Sequence, residues 1–478
     1  MDKRSLPAFI AISMGVFCLV ADQTGVQVAL PSISEFFNSD LPTTQWVLIS
    51  YVLAISISLL PMGRLSDMVG HKKIYMVGFM LISTTTFVAG LAPSIIWLIV
   101  ASFIRGVGSG MTQGTSMALV VAIFGRGKGG KALGSYISVV GLGSALGPLI
   151  SGYILTSFNW RVLYYLLSGI GIVAMSSAAL FVQSDRTPKF KVTGFKFDWV
   201  GAVLFTVGIS CFLQGITWSP NLGYADIRII SALGISSISL IVFVFWEIYC
   251  NDPMMDLRLF KSRMFSSGIG SAFLYFMGTS TTFLFMPFYL QIALGYTPYQ
   301  MGMFSGAGAL TMAVVGIFAG QLSDKFGPNG FTTAGISISV AGLAILANLN
   351  MDSSWVHPLA GMVCCSFGLG TFYGPNNKII LASVPRNFHG VVSGFIHLAR
   401  NSSTVISIAV GILVVTTFMS SMGFAPTLAG LSSDTDFPVL NSFVNGMRVG
   451  FIAFATILIL ALAVSLCGGT YEEIEVAD

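Results

Sequence analysis

Long apolar runs recur down the whole chain, at approximately 8–31, 45–63, 74–92, 95–123, 132–156, 162–182, 198–218, 229–249, 265–292, 302–322, 331–350, 356–377, 390–418 and 443–467. Each holds about 18 or more residues, and at 1.5 Å per residue such a run crosses a hydrocarbon layer as a helix. A helix satisfies every backbone N–H and C=O within itself, whereas a spanning barrel would appear as short alternating segments. The chain therefore reads as an all-α polytopic membrane protein with fourteen transmembrane helices. Composition agrees: of 478 residues, 9% are charged and 54% hydrophobic, against roughly 25% charged in soluble proteins. The first run follows Met1-Asp2-Lys3-Arg4 with no small-residue cleavage site and polar domain behind it, so it reads as a span and not a removed leader.

The net charge of +4 does not point to nucleic acid. Lysine and arginine cluster in alternate loops, with Lys3, Arg4, Arg64, Lys72, Lys73, Arg126, Lys128 and Lys131 among those on one side, and Arg161, Arg228 and Arg448 on the other. The positive-inside rule then puts the basic loops, and with an even span count both termini, in the cytoplasm. Six cysteines lie in or beside apolar runs without metal-ligand spacing and read as small hydrophobes. The stretches 183–196 and 250–263 read as surface segments, 420–441 as an external loop, and 471–478 as an acidic tail.

One loop is written twice. Gly63-Arg64-Leu65-Ser66-Asp67-Met68-Val69-Gly70-His71-Lys72-Lys73 lies between apolar runs, and Gly320-Gln321-Leu322-Ser323-Asp324-Lys325-Phe326-Gly327 follows 257 positions later. Two related halves are expected: residues 1–182 with six helices, 265–478 with six helices and the tail, and 183–264 as a linker carrying two additional spans.

These residues resemble the major facilitator superfamily, in its fourteen-span drug:proton antiporter branch. The loop 63–73 matches the pattern G-x-L-a-D-r-x-G-r-K-x at Gly63, Leu65, Asp67, Gly70, Lys72 and Lys73. In the first run, Asp22-Gln23-Thr24-Gly25-Val26-Gln27-Val28-Ala29-Leu30-Pro31 is similar to L-D-x-T-i-v-N-v-A-L-P, with Gln27 where asparagine is usual. In the fifth, Gly141, Gly147, Pro148 and Gly152 follow the antiporter signature G-x5-G-P-x2-G-G, with Ser151 in place of its first closing glycine. Phe197-Asp198-Trp199-Val200-Gly201 and Pro287-Phe288-Tyr289-Leu290-Gln291 resemble the start of the extra pair and of the following half. The resemblance implies a monomeric, proton-coupled, plasma-membrane exporter of amphipathic or hydrophobic small molecules working by alternating access.

Asp22 is the only carboxylate deep in an early apolar run. A charged aspartate at mid-bilayer costs about 2.5–3.5 kcal/mol on insertion scales, so it is expected to face the protein interior. There it could load and release a proton, or simply tie two helices together. Arg105, about ten residues into the fourth run, is linked by the resemblance to proton transfer, and could equally bond carbonyls of a broken helix. Asp67 with Arg64, Lys72 and Lys73 reads as a cytoplasmic latch, with Asp324 and Lys325 as its second copy; either could be only a turn and an orientation signal. Gly141, Gly147, Pro148 and Gly152 let helices approach and bend. His397 and Arg400 stand three apart on one helix face, where a cation favours an anionic or zwitterionic headgroup. Gln27, Tyr289, Gln291, Phe372, Tyr373, Asn376 and Asn377 complete the residues expected to line a substrate cavity.

Enzyme chemistry finds no support: His71, His357, His389 and His397 are scattered, and no P-loop or dinucleotide fingerprint occurs. No cofactor or metal is expected. Alternative readings on the same fold are an exporter of one specific metabolite, a lipid translocator or a non-transporting sensor.

Overall fold

The computed structural model describes residues 5–39, 41–124, 129–182, 198–222, 226–250, 253, 255–296, 298–385, 388–424 and 437–468. Among these, all regular structure is helical. The helices are α1 (Ser5–Phe37), α2 (Leu41–Val69), α3 (His71–Gly90), α4 (Ile95–Phe124), α5 (Gly129–Ser157), α6 (Trp160–Phe181), α7 (Trp199–Leu222) and α8 (Ile227–Tyr249). After a 3-10 turn (Leu257–Lys261) come α9 (Arg263–Thr279), α10 (Thr281–Phe288), a π-helical turn (Tyr289–Ala293), α11 (Pro298–Phe326), α12 (Asn329–Leu346), α13 (Val356–Ala382), α14 (His389–Ser421) and α15 (Phe437–Leu466). The expected loop 183–196, residues 425–436 of the expected external loop and the tail 471–478 lie outside the described residues.

Twelve of these helices are long and apolar enough to cross a membrane. The twelve omit two of the fourteen apolar runs, and each omission has a physical reason. The run 265–292 is not one helix: its Gly278-Thr279-Ser280-Thr281-Thr282 stretch divides α9 from α10. There the hydroxyls bond sideways, Ser280 Oγ with Thr404 Oγ1 at 3.0 Å and Thr281 Oγ1 to the Ser407 carbonyl at 3.1 Å. The run ends in the π-turn, a device common near functional sites. The other omission, α13, is long but carries Asn376, Asn377 and Lys378 on its last turns.

Packing follows the small residues. α2 crosses α4 where a Cβ added at Gly106 would stand 2.4 Å from the Tyr51 carbonyl oxygen. α3 crosses α4 on Gly78 and Gly108, and α12 crosses α13 on Gly335 and Gly368, each glycine facing the other's carbonyl oxygen. Gly335 follows Gly78 at the same interval of 257 positions that separates Gly320 from Gly63. The repeat in the loops is thus also a repeat in helix contacts, where only a missing side chain lets two backbones meet. α1 to α6 pack mainly among themselves, as do α9 to α15; α5 meets α11 and α13, and α14 meets α2 and α4.

α7 and α8 pair with each other through Ser236 Oγ to Gly208 O at 2.9 Å and Ser239 Oγ to Leu204 O at 2.8 Å. Asp198 closes the end of the pair, accepting from Gly201 N at 2.8 Å and from Trp246 Nε1 at 2.9 Å. α7 touches α2 and α14, while Ile238, Ile241, Phe245 and Ile248 of α8 are exposed on a face suited to lipid.

Two glycines that look alike in sequence should behave differently. A methyl at Gly106 meets backbone at 2.4 Å, whereas one at Gly152 meets nothing within 4 Å. Overpacking of this kind costs about 1–3 kcal/mol. Gly106→Ala is expected to lower the thermal midpoint of the detergent-purified protein by several degrees and Gly152→Ala to leave it unchanged, as read by intrinsic fluorescence melts.

Candidate functional site

Asp22 does face the protein interior. It is 2% exposed and Arg105 1%, and Arg105 Nη1 donates to Asp22 Oδ1 at 3.2 Å. α1 and α4 bring the pair together, and two aromatic rings hold the guanidinium: its carbon lies 4.7 Å from the Tyr51 centroid and 5.3 Å from that of Tyr164. Cation–π contact supplements an ion pair that desolvation would otherwise weaken. Among the described residues, Asp22 Oδ2 and Arg105 Nε and Nη2 have no hydrogen-bond partner. The pair therefore keeps one free acceptor and further free donors in a dry setting, where unsatisfied groups are uncommon.

From Arg105 a polar stripe runs down α4. Arg105, Ser109, Gln113 and Ser116 are spaced by four, four and three residues, so they share one face over about 16 Å of helix. Tyr51 OH donates to Ser109 Oγ at 3.1 Å, Gln113 Nε2 donates to the same oxygen at 3.1 Å, and Ser116 Oγ bonds Tyr136 OH at 3.2 Å. The Tyr136 phenol lies within electrostatic reach of Tyr373 on α13 and Arg400 on α14. Around this junction several buried polar atoms have no partner among the described residues: Gln113 Oε1, Tyr373 OH, both amide atoms of Asn377 and both ring nitrogens of His397.

At one end of the molecule, the two copies of the repeated loop do the same thing. Asp67 Oδ1 accepts from the Gly390 N–H and Oδ2 from the Val391 N–H, each at 2.8 Å. The carboxylate thus sits on the first turn of α14, where the backbone donors and the helix dipole favour an anion. Asp324 Oδ2 accepts from the Lys131 N–H at 2.8 Å near the start of α5, and Oδ1 accepts from Lys378 Nζ at 2.7 Å. Each loop carboxylate reaches a helix from the other group. Gly390 is required for the approach, since a Cβ there would lie 2.5 Å from Asp67 Oδ1 and 2.7 Å from the Gly63 carbonyl oxygen. Gly70 turns the chain into α3 at φ +108, a conformation that favours glycine.

His71 completes the Asp67 end. Ser66 Oγ donates to the Gly63 carbonyl at 2.7 Å and lies 3.0 Å from His71 Nδ1. With its one proton committed, Ser66 must accept from Nδ1–H. That leaves His71 Nε2 facing Asp67 Oδ1 at 3.6 Å, beyond a normal hydrogen bond.

The chain matches the model of the Major Facilitator Superfamily over residues 12–408. It belongs to that family. As a major facilitator protein it is a membrane transporter of small molecules and not an enzyme. Its relatives include the riboflavin transporter RibZ of Clostridioides difficile, 31% identical over 412 residues that cover 85% of this chain and 87% of that protein. Others are the tetracenomycin C resistance and export protein of Streptomyces glaucescens, 25% identical with 97% and 91% covered, and the multidrug resistance protein Stp of Mycobacterium tuberculosis, 27% identical with 86% and 76% covered. Among solved structures, the proton:xylose symporter XylE superposes with a TM-score of 0.66 at 13% identity, covering 99% of each chain, and human MFSD10 with 0.64 at 13%, covering 97% and 100%.

Against this geometry the sequence expectations divide. Asp22 meets Arg105, Tyr373 and Arg400 lie in reach of Tyr136, which bonds the α4 stripe at Ser116, and Asn377 and His397 stand one turn along from them on α13 and α14. The lysine partners of the loops are corrected, whereas Arg64 stays within electrostatic reach of Asp67. Asp67 is held by backbone amides of α14, and Lys72 Nζ instead donates to the Ala179 carbonyl near the end of α6 at 3.0 Å. Residues 72 and 73 fall on the first turn of α3, which packs on α6, and Lys73 is exposed. Arg64 lies over the Phe388 ring at 5.6 Å. Asp324 pairs with Lys378, while Lys325 is exposed.

Three expected cavity residues are turned to packing. Tyr289 OH donates to the Asn350 carbonyl at 2.7 Å, Phe372 stacks on Tyr275 at 4.2 Å, and Asn376 bonds Gly268 O and Ser271 Oγ of α9. Gln27 is exposed on α1 and Gln291 half-buried in the π-turn. Gly141 meets the Ala309 carbonyl of α11, Gly147 meets Thr24 and Ala21 of α1, Gly152 is open, and Pro148 is half-buried. Tyr51, Tyr164, Ser109, Gln113 and Tyr136 were not anticipated, although the polar spacing along 105–116 is visible within an apolar run.

Removing the Asp67 carboxylate strands two buried amides, at about 1–3 kcal/mol for each unsatisfied group. Asp67→Ala is expected to raise the thiol-labelling rate at a cysteine introduced for buried Ser393, on α14 beside this contact, at least tenfold in a background lacking the native cysteines. An unchanged labelling rate would show that the carboxylate does not hold this end together.

Proposed function

We propose that this transporter is a proton-coupled antiporter that exports amphipathic small molecules by alternating access. The reading assigns fourteen spans, with 1–182 and 265–478 as six-helix bundles and 183–264 carrying the additional pair. It sets a monomer in the plasma membrane with both termini cytoplasmic. The interval of 257 positions shared by the loops and the glycine crossings supports the two-bundle reading, and the names of several relatives as drug-resistance and export proteins support the direction.

One observation carries the coupling: a buried aspartate whose ion-pair partner is a single arginine, with one carboxylate oxygen left open. In this scheme the deprotonated Asp22 holds Arg105 between Tyr51 and Tyr164. A proton entering from outside takes the free oxygen and cancels the charge that fixes the guanidinium. Arg105 then relaxes along the α4 stripe toward Ser109 and Gln113, which links the proton site to the junction at Tyr136, Tyr373 and Arg400. Substrate and proton compete through this string rather than at one atom. The loop contacts, Asp67 on α14 and Asp324 on α5, break and re-form as one end of the molecule opens.

A second reading, an exporter specialised for one metabolite class, is favoured by the unpartnered polar atoms of that junction, which a purely apolar cavity would lack.

The decisive measurement is substrate-driven proton flux in proteoliposomes with an imposed pH gradient. Asp22→Asn keeps the volume and one acceptor but cannot exchange a proton, and is expected to abolish coupled flux while substrate still binds. Arg105→Leu leaves a buried charge alone, at a cost of about 3–5 kcal/mol, and is expected to lose flux and thermal stability together. Wild-type coupling in the asparagine variant would remove Asp22 from the mechanism.

A further inference from the structure

Away from the α7–α8 pair, which holds the buried Asp198 and Glu247, most interior carboxylates of the described residues are matched. Asp22 and Arg105 neutralise each other, Asp324 is matched by Lys378, and Asp67 lies on the amides of α14. Arg400 stands eleven residues beyond the first residue of α14, about 16 Å along the helix, half-buried and in ion-pair range of no carboxylate among the described residues. A guanidinium at that depth calls for an acceptor. Its surroundings supply more donors than anions: the Tyr136 hydroxyl lies in its electrostatic reach, Tyr373 lies in reach of Tyr136, and His397 is one turn away on the same face.

Beside this donor group lies an apolar space. A cavity of about 70 Å3 is lined by Met286, Met301, Met362, Cys365 and Leu369, with Thr279 and Thr282 at the α9–α10 break. Two links join it to Arg400. Met362, Leu369, Tyr373 and Asn377 follow one another at intervals of seven, four and four residues, so one face of α13 leads from the cavity to the Tyr373 hydroxyl and Asn377 amide, which are buried and unpartnered among the described residues. On the other side, Ser280 at the break bonds Thr404, whose hydroxyl in turn donates to the Arg400 carbonyl one turn below. Thioethers adapt to ligands of varied outline, while a planar guanidinium grips a carboxylate with two parallel bonds.

We propose that the exported substrates are amphipathic organic anions, with a carboxylate held by Arg400 and the Tyr373 hydroxyl and an apolar end reaching into the methionine-lined cavity of α10, α11 and α13. This rests on the export reading above and narrows it: a positively charged amphiphile would meet an uncompensated guanidinium where its head belongs.

Two dyes on one xanthene skeleton separate the possibilities. Fluorescein carries a free carboxylate and is anionic; rhodamine 6G carries an ester and is cationic. Binding of each to the purified full chain in nanodiscs is read by fluorescence anisotropy. Fluorescein is expected to bind at least tenfold more tightly than rhodamine 6G. Arg400→Gln should weaken fluorescein at least tenfold and rhodamine 6G less than twofold, with Arg400→Lys intermediate. Tyr373→Phe, which removes only a hydroxyl, should weaken fluorescein severalfold and serves if Arg400→Gln fails to fold. Tighter binding of rhodamine 6G, no saturable fluorescein binding, or fluorescein affinity indifferent to both substitutions would overturn the proposal. Proton flux in proteoliposomes keeps the two readings apart. Fluorescein that binds through Arg400 without moving protons would refute antiport and leave the substrate class standing, whereas protons exchanged only for rhodamine 6G would do the reverse.

Discussion

A carboxylate cannot lie in an apolar interior without an answering positive group, and three aspartates show three answers. Asp22 takes a guanidinium, Asp67 takes two backbone amides at a helix start, and Asp324 takes one such amide and an ammonium. In each case the partner lies on another helix, so satisfying the charge also fixes a helix-to-helix contact. α1 is tied to α4, α2 to α14 and α11 to α5. Lipid offers no hydrophobic drive for helices to associate, so such polar ties and close glycine crossings define which helices meet.

The glycine crossings and the polar ties reinforce each other at the Asp67 end. Gly63 and Gly390 bring α2 and α14 close enough for a short aspartate side chain to span the gap. Gly134 and Gly320 bring α5 and α11 together in the same way, and Asp324 reaches the start of α5 from there. A longer acid or a bulkier residue at Gly390 would spoil the fit, because the amides are rigid parts of a helix and cannot move to meet a displaced carboxylate. Two such contacts, one from each copy of the loop, join the same two groups of helices.

Much of this was readable in the chain before any coordinates. Fourteen apolar runs gave an all-helical membrane protein, and Asp22 was marked by being the one deep acid of the early runs. The loop copies were legible because Gly and Asp recur in them at matching places. Their partners were not, since backbone amides carry no sequence signal and Lys378 lies 54 residues from Asp324. A nearby lysine looks like the obvious mate for an aspartate, yet helix geometry sends Lys72 to α6. The break at Ser280 was hidden because Ser and Thr bond to neighbouring helices without lowering hydropathy as charges do. Tyr51 and Tyr164 could not be foreseen as walls around Arg105, as aromatic residues in apolar runs are mostly core.

The kinds of partner also set how each contact responds to a proton. Asp67 is engaged through both oxygens by amides that cannot move independently of α14, so protonating either oxygen turns an acceptor into a donor facing a fixed donor, and either separates the helices or fails to occur. Among the described residues Asp22 is ion-paired through one oxygen, to a flexible side chain with donors to spare, with the Tyr51 phenol close by. A proton there would meet an open oxygen, and a displaced guanidinium would have Ser109 and Gln113 one and two turns along its own helix. The first arrangement resists change until the helices themselves move, while the second can change with the helices in place. α4 carries Arg105 and also touches α1, α2 and α14, which places it between the two arrangements.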